Sequence, residues 1–320
     1  MKPTTNPTRQ FRHILDVRGL LMRAYHGTTD TQTPTRGEAG FVAFLERYLL
    51  PILEDAAPVD IVSCWDGGNN LRASLFPGYK AKRTAKNQNP DAEAKAVFVE
   101  IEKMQRLAKN FLASLGCIQA RVEGVEADDL IAYIVRGMGK PGCQVHTVDQ
   151  DLAQLEGTFC TVNVEGSEAK VQPNLVALHK SIVGDTSDEY PGVKGVGARG
   201  WDLMVDDFGI DGMEELDALA RARNLKELVE IAEGSDNKPL QKVAADRQQW
   251  LLMYELARLH PDWCEKSQGR GRKKKLTKVT WVKRLPDANK VTRILATCGA
   301  EDLYLQVSRF MPTVELITED

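Results

Sequence analysis

Short runs of consecutive apolar residues alternate along this chain with longer stretches whose apolar positions return every three or four residues. His13-Ile14-Leu15-Asp16, Ile61-Val62-Ser63-Cys64-Trp65-Asp66 and Val145-His146-Thr147-Val148-Asp149 are of the first kind, and each ends in an aspartate. Apolar runs without polar alternation suit strands covered on both faces, as in a parallel sheet with helices on either side. Between the first two, Phe41, Phe44, Leu45, Tyr48, Leu49 and Ile52 recur at helical spacing and predict one helix face packed on that sheet. The same periodicity predicts a helix from Ala92 to Ser114, along Val97, Ile101, Met104, Leu107, Ala108 and Phe111, with Gly116 as its stop. A third helix is predicted from Ala127, through Leu130, Ile131, Ile134 and Val135, to Gly137. A further strand is expected over Thr158 to Val164, and from Pro173 onward the pattern is mainly helical. Open parallel sheets gather ligands outside the carboxyl ends of their strands, so the three aspartates are expected to converge on one crevice.

Composition narrows the class. At 320 residues, with 42% apolar and 27% charged, the chain can bury a large core in one or two domains. Its apolar runs fall well short of the ~18 residues of a membrane span. Six cysteines are scattered with no CxxC pair, and no apolar leader opens the sequence, so a cytoplasmic, reducing setting away from membranes is expected. The net charge of −3 conceals two basic blocks. Gly67 to Pro90 holds no acidic residue but contains Arg72, Lys80, Lys82, Arg83 and Lys86. Glu265 to Arg284 holds nine Lys/Arg against one carboxylate, centred on Arg270 to Lys275. Such runs fit either a solvated surface or a polyanionic partner.

Carboxylates give the sharper signal. Glu126, Asp128 and Asp129, then Asp149 and Asp151, then Asp185 and Asp188, join Asp16 and Asp66 near the ends of predicted elements. Taken singly, each group has a plain explanation as a turn, an N-cap or an acidic first helical turn. Together they crowd one crevice, and two unit charges 4 Å apart repel by about 4 kcal/mol at an effective dielectric near 20. Cations must offset that repulsion. Oxygen donors without a Cys or His cluster suit Mg²⁺ or Mn²⁺ rather than zinc, and the five histidines lie far apart, so no zinc site is expected. Two such ions about 3.5 to 4 Å apart form the clamp used for phosphodiester displacement. Directly after Asp188 comes Pro191-Gly192-Val193-Lys194-Gly195-Val196-Gly197, whose glycines let backbone amides approach a phosphate. Its pattern is that of a helix-hairpin-helix turn that binds duplex, and a helix over Trp201 to Phe208 is expected to follow.

Five ordered motifs resemble the 5′-to-3′ exonuclease and flap endonuclease family, which includes the 5′-nuclease domain of bacterial DNA polymerase I. They are Leu15-Asp16 with Met22-Arg23-Ala24-Tyr25-His26; Asp66 with Arg72, Phe76, Tyr79, Lys80 and Arg83; Gly124 to Asp129; Thr147 to Leu152; and Gly184 to Asp188 with the hairpin through Gly197. The resemblance covers roughly residues 13 to 205. It implies an α/β fold, with a central, mainly parallel sheet flanked by helices, over 13–184, and an arch at about 77–115. A helix-hairpin-helix region over 185–262 would follow, and a basic segment of unmatched role over 263–320 would close the chain. Residues 1–12, with Pro3 and Pro7, read as a disordered lead-in.

The resemblance also implies roles. Asp16, Asp66, Glu126, Asp128 and Asp129 would build one metal site with Asp149 and Asp151 close by, and Asp185 and Asp188 would complete a second. Mg²⁺ would fill both, Mn²⁺ could substitute, and the Gly192 to Gly197 hairpin admits a K⁺ ion. Asp66, Asp128 and Asp149 would be central to catalysis. Lys80 and Arg83 would add positive charge at the scissile phosphate, Tyr79 would stack on a base, and Arg23 and Arg72 would hold phosphates. Gly192, Lys194, Gly195 and Gly197 would grip the duplex. DNA with 5′ ends, flaps or RNA primers is the expected partner, alongside replication proteins. Two departures stand out: Arg18 replaces a small polar residue beside the first aspartate, and Ala198-Arg199-Gly200-Trp201 replaces the usual helix start. A PIN-type ribonuclease and a non-catalytic DNA-junction binder are the competing readings.

Overall fold

Strands β1 (His13–Asp16) and β2 (Ile61–Trp65) are buried along their whole length, as their unbroken apolar runs predict. They pair in parallel, and the sheet continues in parallel with β3 (Ile118–Arg121) beside β2 and with β4 (Cys143–Thr147) and β5 (Cys160–Val164) beyond β1. The computed structural model describes residues 11–28, 35–68, 70–139, 142–166, 171–265, 267–268, 275–276 and 278–311. Asp66 stands one residue past β2 and Asp149 two past β4, while β5 begins at Cys160 rather than Thr158. The chain winds β1, β2, β3 to one side, then returns to lay β4 and β5 on the other, so the winding reverses between β1 and β4. A crevice opens at such a reversal.

Helices cover both faces. Helix α1 (Val17–Gly27) leaves directly from Asp16, and α2 (Arg36–Phe44) passes through a π turn into α3 (Leu50–Asp55). After α4 (Asn70–Leu75) and α5 (Ala81–Gln88) comes α6 (Ala92–Leu115), capped by the Asp91 carboxylate and ended by Gly116 at φ +92°. The segment expected as an arch holds two helices joined at Asn89-Pro90-Asp91. On one face of the sheet Leu15, Leu21, Phe41, Phe44, Phe111 and Leu112 pack together. On the other, Ile14, Val62 and Val145 meet Leu130 and Ile131 of α7 (Ala127–Arg136).

Beyond the sheet, α8 (Val176–Val183) and α9 (Ala198–Ala222) pack with three further helices around Leu178, Met204, Trp250, Met253 and Tyr254. Helix α9 starts three residues before the expected Trp201 and resumes after a non-helical Gly209. Gly200, unfavourable by helix propensity, is required here: a Cβ would come within 2.7 Å of the Val196 side chain in the hairpin. No helix among the described residues is long and apolar enough to cross a membrane.

The segment after residue 262 had shown no recognisable pattern, yet much of it completes the fold. Thr280–Val282 adds antiparallel to the β3 edge, and Trp281 stacks on buried Phe11. Val291 and Leu295 of the helix Ala288–Thr297 enter the core beside Phe111. Three strand residues and one ten-residue helix are too short to stand out against so basic a background. The run Arg270 to Lys274, and residues 1–10 of the expected lead-in, lie outside the described residues, whereas Phe11 and Arg12, also expected in the disordered lead-in, belong to the fold: Phe11 is buried, and the Arg12 amide donates to the Asp60 carbonyl at 2.9 Å. Leu295→Ala is expected to cost about 2–5 kcal/mol of unfolding free energy, measured by urea denaturation. A change below about 0.5 kcal/mol would place that helix outside the core.

Candidate active site

A cleft of about 540 Å³ opens at the carboxyl ends of β1, β2 and β4, lined by Asp16, Asp66, Glu126, Asp128, Asp149 and Asp188 together with Arg18, Lys80, Arg83 and Lys180. Local backbone chemistry fixes these carboxylates. Asp16 caps α1 by accepting the Gly19 amide at 3.2 Å, and the Thr147 hydroxyl of β4 donates to its other oxygen at 2.8 Å. Asp66 accepts the Ala127 amide at 3.0 Å, at the N-terminus of α7. This approach needs Gly67, where any Cβ would strike the Val122 carbonyl. Asp149 caps the turn Gln150–Leu155 by accepting the Asp151 amide at 2.9 Å.

Cations interleave with these carboxylates: Arg72 is buried behind the cleft, while buried Lys80 and half-buried Lys180 stand in its wall. Arg72 donates to Glu126 at 2.9 Å, to both oxygens of Asp129, and to the carbonyls of Leu256 and Arg258 at 3.1 Å. Lys80 donates to Glu126 at 2.7 Å and lies 3.3 Å from Asp188. The Tyr79 hydroxyl sits between the same two carboxylates, 3.1 and 2.8 Å away. Lys180 bridges Asp151 and Asp185, the latter at 2.6 Å. Lys80 also adopts a left-handed backbone, φ +51°, a conformation costing roughly 1–2 kcal/mol outside glycine. It persists because its amide donates to the Asp188 carbonyl at 2.9 Å and because Glu189, itself left-handed, accepts the Lys82 and Arg83 amides at the start of α5. Strain held this way at a charged cleft is typical of functional sites.

Burial pushes the Asp16 carboxyl up to about 6, and the charges of Asp149 and Asp66 add to it, although Thr147 and Gly19 pull it down. Asp128 is raised well above the ordinary range by burial and by Asp149, Asp16 and Glu126. Asp151 rises to about 7, chiefly through burial and Asp149, with Lys180 opposing. Burial acts on Glu126 in the same direction, but Arg72 and Lys80 outweigh it and hold its carboxyl low. Asp185 likewise falls to about 2 against its own burial, through Lys180 and Ser187.

Of the nine carboxylates singled out from the sequence, six line the cleft, and Asp151 and Asp185 stand one layer back on Lys180. Asp129 does not fit its expected role. It is wholly buried and turned from the cleft onto Arg72 and the His260 amide. Arg72, expected on phosphate, is only 4% exposed with its donors committed inside the protein. Tyr79, expected to stack on a base, is 3% exposed and rings with Tyr190 in the helical core. Arg83 is exposed on the cleft rim, whereas exposed Arg23 lies outside the lining. In the hairpin Lys194, Gly195 and Gly197 are exposed and Gly192 is half-buried. The Lys242 ammonium donates to the Gly195 carbonyl at 2.9 Å, so a cation of the chain already meets the hairpin where K⁺ was expected. Among the described residues no three His, Cys, Asp or Glu side chains form a ready cage for an ion. Sequence reading missed Lys180 and Glu189. A lysine inside the apolar run Val176 to Val183, just before an acidic loop, was the signal for the first; nothing marked the second.

Arg72→Ala is expected to lower unfolding free energy by about 3–5 kcal/mol in urea denaturation, because buried Asp129 and Glu126 lose the guanidinium they share, and the His260 amide remains to Asp129 in place of an ion pair. A loss under about 1 kcal/mol would contradict that placement. Asp16 and Asp128 keep their protons to higher pH when folded than when unfolded, so each disfavours the ion-free fold above its unfolded pKa near 4. Ion-free protein is therefore expected to lose stability from about pH 4 to 6. Asp128→Asn should raise its Tm at pH 7.5 in EDTA, and an unchanged or lower Tm would count against crowding at Asp128.

Comparison with known proteins follows the same outline. Residues 12–178 match the family described as "5'-3' exonuclease, N-terminal resolvase-like domain". A 5′-3′ exonuclease of Bacillus subtilis is 31% identical over 211 residues, 58% of this chain and 66% of that protein. The thermostable DNA polymerase I of Thermus aquaticus is 27% identical over 267 residues, which cover 78% of this chain but 28% of the polymerase. In three dimensions the chain is similar to T5 5′-exonuclease with bound divalent metal ions (zinc), at TM-score 0.58 and 18% identity, over 94% of this chain and all of that one. A bacteriophage T5 flap endonuclease in complex with DNA and metal ions superposes at TM-score 0.56 and 17% identity, over 94% and 99% of the two chains. With more than half its length matched by the family, the chain belongs to the 5′-3′ exonuclease family.

Proposed function

We propose that this chain hydrolyses DNA from 5′ ends and cuts 5′ flaps and RNA primers where single strand meets duplex, using divalent cations held in the cleft. One observation carries the reading: six carboxylates share a cleft with four cations, and one of those cations, Lys180, is already committed to two further carboxylates. The excess of negative charge, and the raised Asp16 and Asp128, describe anions that a divalent ion would relieve. No His or Cys lines the cleft, and hard oxygen donors fit Mg²⁺, with Mn²⁺ as a substitute. Asp16, Asp66, Asp128 and Asp149 would hold one ion, and Glu126 and Asp188, backed by Asp151 and Asp185, a second. Bound ions would activate water for attack and neutralise charge on the phosphate.

The chain's own groups do the rest. Lys80 and Arg83 direct positive charge into the cleft, where charge builds on the phosphate during displacement. Tyr79 and Arg72 hold Glu126 in place from behind, which makes them positioning residues rather than DNA contacts. Exposed Lys194 and the amides around Gly195 and Gly197 would grip duplex beside the cut. The T5 relatives named with DNA and metal ions, and the exonuclease and polymerase relatives, support this reading. A role in DNA replication beside replication proteins, in the cytoplasm, belongs to the same proposal.

A 5′-flap duplex and a matched blunt duplex, labelled at either end, test the proposal in Mg²⁺ and in EDTA. Cleavage is expected in Mg²⁺ alone, with mononucleotides marking exonuclease action and an intact released flap marking endonuclease action. Asp149→Asn should lower the rate at least ~100-fold while DNA binding stays measurable. Binding without cleavage in Mg²⁺ or Mn²⁺ by the parent protein would instead make it a junction binder.

A further inference from the structure

Arg18 is a cation that the architecture of the cleft does not require. It sits in the first turn of α1, directly after the N-cap region at Asp16, where the helix dipole favours anions and disfavours a guanidinium. Its side chain is 52% exposed, and one terminal nitrogen lies 3.3 Å from Asp66 Oδ2. The other oxygen of Asp66 is held independently by the Ala127 amide at 3.0 Å, so Asp66 keeps its position without Arg18. Arg72, Lys80 and Lys180 differ in kind. Each is wedged between two carboxylates with its side chain mostly out of solvent, whereas Arg18 meets a single carboxylate from the solvent side. Exposed single ion pairs of this sort are weak and screened by salt.

A carboxylate that must hold a divalent ion cannot keep a guanidinium in the same place, and a freed guanidinium matches phosphate oxygens in a fork. We propose that Arg18 is a displaceable counter-ion of Asp66, which neutralises it in the ion-free cleft, yields it to a divalent cation, and then holds a backbone phosphate of the entering strand. This rests on the metal-dependent reading above and adds a substrate contact at Arg18. It also explains why a helix start tolerates a badly placed charge.

Arg18→Ala tests both halves without relying on turnover. Calorimetric titration with Mn²⁺ in the absence of DNA is expected to show about three- to tenfold tighter binding than the parent, since a competing charge is removed. Binding of a 5′-flap duplex in Ca²⁺, followed across KCl concentrations, should weaken, with the slope of log affinity against log salt reduced by about one. Lys226→Ala, which removes an exposed charge on the helix Leu225–Glu233, should change neither quantity. Unchanged Mn²⁺ affinity or an unchanged salt slope in Arg18→Ala would overturn the proposal. Absence of Mn²⁺ binding in parent and variant alike would instead overturn the metal-dependent reading, and this inference with it.

Discussion

Repulsion among carboxylates is the constraint to which the rest of this structure responds. Asp16, Asp66 and Asp149 arrive at one point because β1, β2 and β4 are parallel and neighbouring, and parallel strands end together. Glu126 and Asp128 join them because α7 must start where β2 ends, with the Ala127 amide on Asp66. At an effective dielectric near 20, each close pair costs several kcal/mol, a large share of the 5–15 kcal/mol that holds an ordinary domain together. The fold therefore has to bring cations in from elsewhere, and it does so from three separate segments.

Arg72 comes from α4, Lys80 from the strained start of α5, and Lys180 from α8. Each ties the sheet to the helical region: Arg72 reaches the carbonyls of Leu256 and Arg258, Lys80 reaches Asp188, and Lys180, itself on α8, reaches back to Asp151 beyond β4. Charge compensation at the cleft is thus also the joint between the two parts of the molecule. Asp16 and Asp128, which no interior cation neutralises so fully, are left as raised, uneasy acids. The stability lost there is what an ion-binding site keeps in reserve for its ligand.

Strands β1, β2, β4 and β5, helices α6 and α7 and the convergence of three aspartates were legible in the sequence because buried parallel strands and long amphipathic helices leave strong periodic signals, whereas the four-residue β3 was not read. The family resemblance extended that to the order of the motifs. What stayed hidden was which partner each charged residue chooses. Arg72 and Tyr79 look like ligand-facing residues in a basic stretch, yet a buried Asp129 and Glu126 claim them, and only the three-dimensional path of α4 against α7 decides this. Glu189 was invisible because its task depends on a left-handed turn facing another, across more than a hundred residues of sequence. The Thr280–Val282 strand was missed because three residues carry almost no periodicity.

Gathering divalent cations is the task proposed for the cleft. Crystals of the protein grown with Mn²⁺ and measured for anomalous scattering test it most directly. Anomalous peaks are expected among Asp16, Asp66, Asp128 and Asp149, with Arg18 withdrawn from Asp66. Peaks confined to other surfaces, with the cleft's carboxylates still held only by Lys80, Lys180 and Arg18, would contradict it.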